Sequence, residues 1–213
     1  MDADKAAENL NVIRQLMERP VRYSTMSGLS GILAGCAALA GVALDSYISG
    51  SYDDRHLAMW INAGVWAGVF LVAFLGVTSL TAIRERRQRI PFWSAAKRRI
   101  LMTILPPFVA GVGLTAAVMY RWHCQIGPNE WGLIPAIWMC FYGVTCWEVG
   151  GFSITEIRVM GAAFILAGLL SAAFFQYTIP GLEPGTAPYW TLGLTFGGFH
   201  IIYGIVVWIR HGG

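Results

Sequence analysis

Long uncharged runs constrain this sequence more than any other feature. A helix needs about 20 mostly apolar residues to cross the hydrocarbon core of a bilayer. Six runs of that order recur along the chain of 213 residues, at 24–44, 59–83, 100–120, 131–147, 159–182 and 184–209. They leave almost no length for a soluble domain. The sequence therefore predicts an all-α polytopic membrane protein with six transmembrane helices, arranged as three hairpins.

The residues that flank these runs set the predicted limits of the spans. Proline, glycine and polar clusters end the helices, and a tryptophan begins each helix that follows an outer loop. The transmembrane domain is predicted over 23–213, with spans at about 24–46, 59–83, 99–120, 130–150, 154–176 and 188–209.

Residues 1–22 form a separate segment before the first span. In the stretch ADKAAENLNVIRQLMERP, the apolar residues Leu10, Ile13 and Met17 recur at helical spacing, and Pro20 follows them. This pattern predicts a cytoplasmic amphipathic helix. Such a helix either lies on the lipid surface or docks a cytosolic partner such as a regulator.

Basic residues fall almost entirely on one side of the predicted membrane. With the N-terminus inside, 13 of the 15 Lys and Arg residues lie on the inner side, and only Arg55 and Arg121 lie outside. Because positive residues are retained in the cytoplasm, the sequence predicts a multi-pass membrane protein with both termini on the cytoplasmic side. The net charge of +3 then reflects topology, and no direct contact with nucleic acid is expected.

The longest inner connection, RERRQRIPFWSAAKRR at 84–99, is the most basic part of the chain. Each cation beside an anionic lipid surface contributes about 1 kcal/mol of attraction. The segment is predicted to bind anionic headgroups, and a protein-docking surface is the alternative because aromatic residues interrupt the basic run. The candidate binding residues are Arg86, Arg87, Arg89, Trp93, Arg98 and Arg99.

Pairs of glycines four residues apart mark candidate helix contacts. Small residues let membrane helices approach closely, and hydrocarbon gives helices no hydrophobic reason to associate. Such pairs occur at Gly31/Gly35, Gly64/Gly68 and Gly193/Gly197. They are predicted to pack the bundle, with homo-oligomer contacts as the alternative.

An acidic residue near the end of the fourth span is the first candidate for chemistry. Glu148 is ionisable and close to membrane depth, where such residues are costly. The pattern SITE that follows it is a capping box, with Ser153 as cap and Glu156 three residues later, so the fifth helix starts near Ile154. Glu148 then lies at the inner interface, within reach of Arg158. We expect these residues to form an ion pair or a helix cap.

His200 is the strongest candidate for an intramembrane functional residue, because it lies near the middle of the sixth span. Together with Gly193, Gly197 and Gly204 it forms a stripe at helical spacing, so it should face a neighbouring helix. Tyr203 is a polar group one turn further on. Three roles stay open: a packed neutral histidine, a proton carrier that gates, and a ligand for haem, a metal or a pigment.

Other motifs give this histidine little support as a ligand. Haem commonly needs a second axial ligand, and no other histidine lies at that depth, although Met119 or Met139 could serve. The motifs CxxCH, HExxH, GxSxG and Walker A are absent from the sequence. The sequence therefore predicts a non-enzymatic protein without a metal site, and it predicts no cofactor.

Three stretches resemble a family of small bacterial six-helix membrane proteins. They are RQLMERPVRYSTMSGLSGILAG (14–35), TEIRVMG (155–161) and GFHIIYGIVVW (198–208), which are similar to an MER-x-x-R lead-in, an EIR motif and an HIIYG final helix. Pro20 stands where that family has a hydroxyl residue. The family is functionally uncharacterised and sometimes occurs beside winged-helix regulators. The resemblance implies the same topology and a role for the matched residues Glu18, Arg19, Arg22, Glu156, Arg158, His200, Tyr203 and Gly204.

These observations lead to three hypotheses of function. The first is a non-enzymatic membrane protein that senses or relays a signal, or scaffolds partners, through its N-terminal helix and the 84–99 segment. The second is a small oligomeric transporter or channel that uses His200 and Tyr203. The third is a membrane subunit that binds haem or a pigment at His200.

Overall fold

A computed structural model describes residues 28–49, 55–87, 93–127, 130–174 and 187–211. Of these described residues, 92% are helical and none lies in a strand. The first five helices are α1 (Gly28–Ser49), α2 (Arg55–Arg87), α3 (Ala95–His123), α4 (Leu133–Gly150) and α5 (Thr155–Phe174). The last stretch consists of α6 (Ala187–Leu192), a π-helical segment (Gly193–Phe199) and α7 (His200–His211), which together we call the sixth span.

Six stretches in the described part of the chain are long and apolar enough to cross a membrane. They are Gly28–Ile48, Met59–Arg87, Lys97–His123, Leu133–Gly150, Thr155–Phe174 and Tyr189–His211. The predicted all-α fold with six transmembrane helices is therefore confirmed, and each observed span overlaps its predicted counterpart. The orientation of the termini stays a prediction, and the helix predicted at 1–22 lies outside the described residues.

The most extensive helix pairing joins α4 and α5, which follow each other through a short turn at 151–154. A methyl group added to Gly161 would lie 2.6 Å from the backbone nitrogen of Trp147, and one added to Gly143 would lie 2.8 Å from the carbonyl oxygen of Gly161. The two backbones therefore touch with no side chain between them, as small residues permit in a membrane.

A second glycine contact joins α1 to the sixth span. A methyl group on Gly35 would lie 2.6 Å from the carbonyl oxygen of Gly197, and one on Gly204 would lie 2.7 Å from the backbone nitrogen of Ile32. A methyl group on Gly31 would lie 3.1 Å from the Cα atom of Gly204, so Gly31 belongs to the same contact. Glycines of α1 and of the sixth span therefore meet inside one chain.

The glycine pair on α2 behaves differently. Within the described part of the chain, nothing lies within 4 Å of a methyl group built on Gly64 or Gly68, so the prediction that this pair packs the bundle is wrong. α2 contacts α1 through Val69 and Gly76 instead. Gly68 is next to Val69 in sequence and therefore lies about 100° away around the helix. A contact between copies of the chain stays a prediction at this pair.

Both described ends of the basic segment at 84–99 are helical, and residues 88–92, with the predicted binding residue Arg89, lie outside the described residues. α2 continues to Arg87 and α3 begins at Ala95, where the hydroxyl of Ser94 accepts a hydrogen bond from the backbone N–H of Lys97 at 3.3 Å. The side chain of Lys97 also forms an ion pair with Glu85, whose side chain is 1% exposed. The sequence does not predict this pair, because both residues fall in a run of surface charge.

The α2–α3 and α4–α5 connections and the end of α7 lie at one end of the bundle. The guanidinium carbon of Arg99 lies 4.3 Å from the ring centre of Phe152, and a guanidinium nitrogen of Arg210 lies 3.2 Å from the carboxylate of Glu156. We call this end the basic end, because most of the described Lys and Arg residues lie there.

Candidate functional site

His200 is the first residue of α7, and its side chain points into the bundle. The residue is 8% exposed, and its Nε2 atom lies 2.6 Å from the hydroxyl oxygen of Tyr142 on α4. This distance is short for a hydrogen bond that involves a ring nitrogen. The group that meets His200 is therefore a phenol, presented by the helix that packs most extensively against α5.

Aromatic rings surround this hydrogen bond. The ring centre of His200 lies 5.6 Å from that of Phe164 on α5 and 5.9 Å from that of Phe196 in the π-helical segment. The ring of Tyr142 lies 4.9 Å from that of Phe164 and 5.0 Å from that of Phe196. A hydrogen bond is electrostatically stronger in such low-dielectric surroundings than in water, and an unpaired polar group is correspondingly costly there.

The second ring nitrogen of His200 is less well satisfied. Nδ1 is buried and makes no hydrogen bond of standard geometry with the described residues, and the backbone of Phe196, four residues earlier, is the group that interacts with it. If Tyr142 donates its proton to Nε2, Nδ1 carries the ring proton and has only the carbonyl of Phe196 as a weak acceptor; in the other tautomer, Nδ1 lacks a donor. Nδ1 is therefore poorly satisfied in one tautomer and unsatisfied in the other. Because such groups are rare in folded proteins, this one requires an explanation.

The predicted stripe of Gly193, Gly197, His200 and Gly204 is divided between two neighbours. The three glycines lie against α1, whereas the imidazole of His200 contacts α4 and α5. The chain from Gly193 to Phe199 is π-helical, so the α-helical spacing that predicts His200 on the face of Gly197 does not hold there. The prediction that one face carries all four residues is therefore corrected, because His200 and the glycines contact different helices.

Tyr203, the other predicted site residue in α7, is buried in the core. It belongs to a cluster that also contains Cys146 and Val149 of α4 and Ile157 of α5. A methyl group on Gly31 of α1 would lie 3.1 Å from its Cδ1 atom. Tyr203 therefore lies where α1, α4 and α5 meet the sixth span.

Glu156 forms two ion pairs at the basic end. Its carboxylate lies 3.2 Å from a guanidinium nitrogen of Arg210 and 3.3 Å from Nε2 of His211. These contacts connect the start of α5 to the last turn of α7. The sequence predicts an ionic role for Glu156 but does not predict these partners.

The other predicted members of this ionic group are arranged differently. Glu148 is exposed, and the ion pair expected between Glu148 and Arg158 does not form. The guanidinium carbon of Arg158 instead lies 5.0 Å from the ring centre of Trp147, because α5 faces the Trp147 side of α4. Ser153 is buried beside the turn, and α5 begins at Thr155, one residue after its predicted start.

A second buried polar contact lies at the end opposite the basic end. Asp45 of α1 is 5% exposed and accepts a hydrogen bond from the side-chain amide of Asn62 on α2 at 2.6 Å. Sequence reasoning predicts no role for Asp45, which directly follows an uncharged run near the end of the first predicted span. Helical spacing is the signal that could have found it, since Asp45 is four residues after Gly41, which contacts α2.

The aromatic partners of His200 are also missed by sequence reasoning. Tyr142 and Phe164 lie in other apolar runs where aromatic residues are common, and no spacing relates them to His200. Phe196 is four residues before His200, and this helical spacing is the signal that could have found it. The signal for Tyr142 is chemical, because a hydroxyl in mid-span needs a partner. Met139, considered as a haem ligand, has its sulfur 3.2 Å from the hydroxyl of Thr195, which donates a hydrogen bond to it.

No group of three or more His, Cys, Asp and Glu residues that could hold a metal ion occurs within the described ranges. Comparison of the chain with protein-family models, curated proteins and solved structures finds no match. The resemblance to a family of bacterial membrane proteins therefore stays a prediction.

Proposed function

We propose that this chain is a non-enzymatic protein of the bacterial inner membrane, with both termini in the cytoplasm, that relays a signal to partners at its basic end. The observation that carries the proposal is the buried hydrogen bond between Tyr142 of α4 and His200 of the sixth span. It connects two helix pairs, α4–α5 and α1 with the sixth span, that are each held by direct glycine contacts. Such a contact can break and re-form while the helices stay intact, as a relay requires.

The π-helical segment before His200 supports a second conformation of the sixth span. Its hydrogen bonds join residues five apart, whereas those of an α-helix join residues four apart. If the hydrogen bonds of this segment changed from the π-helical to the α-helical pattern, each turn would contain one residue fewer. α7 would then turn by about 100° relative to α6, and His200 would move away from Tyr142. π-Helical turns are frequent at functional sites. The glycines of the segment, Gly193, Gly197 and Gly198, lower the cost of such a change.

A rotation of α7 would change the contacts at the basic end. Arg210 and His211 hold Glu156 of α5, and Gly204 lies against the start of α1. α1 follows the segment at 1–22, which is predicted either to lie on the lipid surface or to dock a cytosolic partner, and the relay requires the second role. The proposed signal therefore passes from the His200–Tyr142 contact through α7 to α1 and α5.

Hydrogen exchange in lipid nanodiscs tests whether the contact controls α7. The full-length wild type is compared with Tyr142→Phe and with Tyr120→Phe, a control at a site on α3 that is 64% exposed. Amide hydrogen exchange is expected to rise over 193–211 and at the start of α1 in Tyr142→Phe but not in Tyr120→Phe. The reason is that the His200–Tyr142 hydrogen bond holds the sixth span, and the start of α1 packs against that span. A rise confined to α4, or an equal rise in both variants, would refute the relay.

Recovery of a cytosolic partner tests the output of the relay. Full-length tagged protein is compared with Tyr142→Phe and with a chain that lacks residues 1–19. The relay predicts that Tyr142→Phe changes the amount of partner recovered and that the deletion abolishes recovery. If both variants recover the wild-type amount, the docking role of the N-terminal segment is excluded.

The incompletely satisfied Nδ1 of His200 is the observation that favours a second function, which is ligand binding. Nε2 is bonded to Tyr142, so a haem or pigment could use His200 only through Nδ1 or by displacing the phenol. A visible absorption band in purified protein that is lost in His200→Ala would support this function, and a colourless protein would exclude it. Solute-dependent thermal stabilisation that is lost in the same variant would favour transport.

A further inference from the structure

The start of α3 forms an open groove at the basic end of the bundle. Its volume is about 430 Å³, and it is lined by Trp93, Ser94, Ala95, Arg98, Arg99 and Met102. The groove lies on the side of α3 that the core does not cover, and it is separate from the His200 site. It combines cationic and apolar surfaces, which suits an amphipathic ligand.

Two arginines give the groove its positive charge. Arg98 and Arg99 are both exposed, and the guanidinium carbon of Arg99 lies 4.3 Å from the ring centre of Phe152. This cation–π contact orients the Arg99 side chain while leaving its N–H groups able to donate. Lys97 is directed to Glu85 of α2, so the carboxylate of Glu85 neutralises Lys97 and not the two arginines.

The backbone at the same point adds to the attraction for an anion. Ser94 caps α3, with its hydroxyl accepting from the N–H of Lys97 and its carbonyl accepting from that of Arg98. The earlier N–H groups of the first turn have no partner within the helix, and the helix dipole is positive at this end. Helix N-termini next to arginines are suited to phosphate groups.

An apolar surface continues from the groove along α3. Trp93 is 61% exposed and Met102 is 58% exposed, and the exposed side chains of Leu105 and Val109 follow at helical spacing. Met102, Leu105 and Val109 lie inside the candidate span Lys97–His123, so in a membrane they face acyl chains. Tryptophan is favoured at the level of the headgroups, where Trp93 lies.

We propose that this groove binds one anionic phospholipid, with its phosphate on Arg98 and Arg99 and an acyl chain along Met102 and Leu105. A soluble phosphate would use only the basic part, and a water-soluble acidic peptide would not use the apolar strip that enters the membrane. The site is narrower than the basic segment that the sequence predicts, because Arg86 and Arg87 lie on α2 and do not line the groove. It goes beyond the proposed relay and does not depend on it.

Native mass spectrometry of the full-length protein in a zwitterionic detergent tests the site. Short-chain phosphatidylglycerol is titrated against wild type, an Arg98→Gln/Arg99→Gln variant and an Arg86→Gln/Arg87→Gln variant, which loses the same charge at the same end of the bundle. The affinity for the first bound lipid is expected to fall about 30-fold in the Arg98/Arg99 variant. The Arg86/Arg87 variant is expected to lose less than about 3-fold. Thermal unfolding of each variant checks that it is folded.

Competing ligands distinguish a lipid from its parts. Phosphatidylcholine and glycerol phosphate are expected to displace phosphatidylglycerol poorly, because the first lacks net charge and the second lacks acyl chains. Equal losses in the two double variants would overturn the proposal in favour of diffuse attraction to the basic end. Unchanged affinity in the Arg98/Arg99 variant, or full competition by glycerol phosphate, would also overturn it.

Discussion

Replacing Tyr142 with phenylalanine tests the central contact with the smallest change that the site allows. The substitution removes one hydroxyl and keeps the ring, so the ring contacts with Phe164 at 4.9 Å and Phe196 at 5.0 Å persist. The substitution removes the hydroxyl that lies 2.6 Å from Nε2 of His200. Nδ1 of the same imidazole is already poorly satisfied. The stability of the variant therefore reports on the hydrogen bond and not on packing.

Two opposing effects set the size of the expected loss. A buried polar group left unsatisfied costs about 1–3 kcal/mol. Couplings measured between helices in membranes are smaller, about 0.6 kcal/mol on average and about 1.7 kcal/mol at most, because separated helices also find polar partners. His200 is enclosed by aromatic rings that cannot replace the phenol, so we expect the free energy of unfolding to fall by about 1.5 kcal/mol.

Reversible unfolding in mixed micelles measures this loss. A double-mutant cycle of Tyr142→Phe with His200→Leu is expected to show a coupling of about 1 kcal/mol. Tyr120→Phe, at an exposed position on α3, is expected to change stability by less than about 0.5 kcal/mol. Wild-type stability in Tyr142→Phe, or a coupling of zero in the cycle, would refute the reasoning.

Three further variants test the contacts that position this site. Gly161→Ala places a methyl group 2.6 Å from the backbone nitrogen of Trp147. It is expected to lower the free energy of unfolding by about 1–3 kcal/mol in the same assay. The control Gly113→Ala meets nothing within 4 Å and should be neutral or slightly stabilising. Glu85→Gln removes the carboxylate that pairs with Lys97, whose side chain is 18% exposed, and should destabilise. An added Lys97→Met should restore most of the loss if breaking this ion pair is the cause. Glu156→Gln should cost less than about 1 kcal/mol, because Arg210 is 67% exposed, yet it should increase hydrogen exchange in the last turn of α7; unchanged exchange would exclude a clamp at that point.

The fold could be predicted because its cause is visible in the sequence. Backbone polar groups in hydrocarbon must bond to each other, so each long uncharged run has to form a helix or close a barrel, and runs of about 20 residues favour a helix. The ends of helices are harder to predict by the same logic. α2 continues to Arg87, four residues past its uncharged run, because long basic side chains extend to the interface while their backbone stays helical.

The candidate site could be predicted only in part. The depth of His200 follows from its position near the middle of the last uncharged run. The glycines at helical spacing correctly indicate a packed helix, but the face that they mark contacts α1, whereas His200 contacts α4 and α5. The partner of His200 does not follow, since Tyr142 is 58 residues away in sequence and its polar neighbours at helical spacing, Thr145 and Cys146, give no relation to His200. The buried pair Asp45–Asn62 is missed for a related reason, because the end of an uncharged run does not mark the end of a helix.

The arrangement of glycine contacts argues that the His200–Tyr142 bond does more than stabilise the fold. Direct backbone contacts fasten α4 to α5 and α1 to the sixth span, and such contacts leave little room for sliding within either pair. Between the pairs the contacts are side chains, chiefly aromatic rings around one hydrogen bond that leaves Nδ1 poorly satisfied. Rings can shift against each other with less distortion than backbones in direct contact, so this boundary allows more movement than the contacts within either pair. A buried hydrogen bond whose imidazole is not fully hydrogen-bonded is costly if its only role is to stabilise packing. It is useful if it selects one of two arrangements of the α4–α5 pair against α1 and the sixth span.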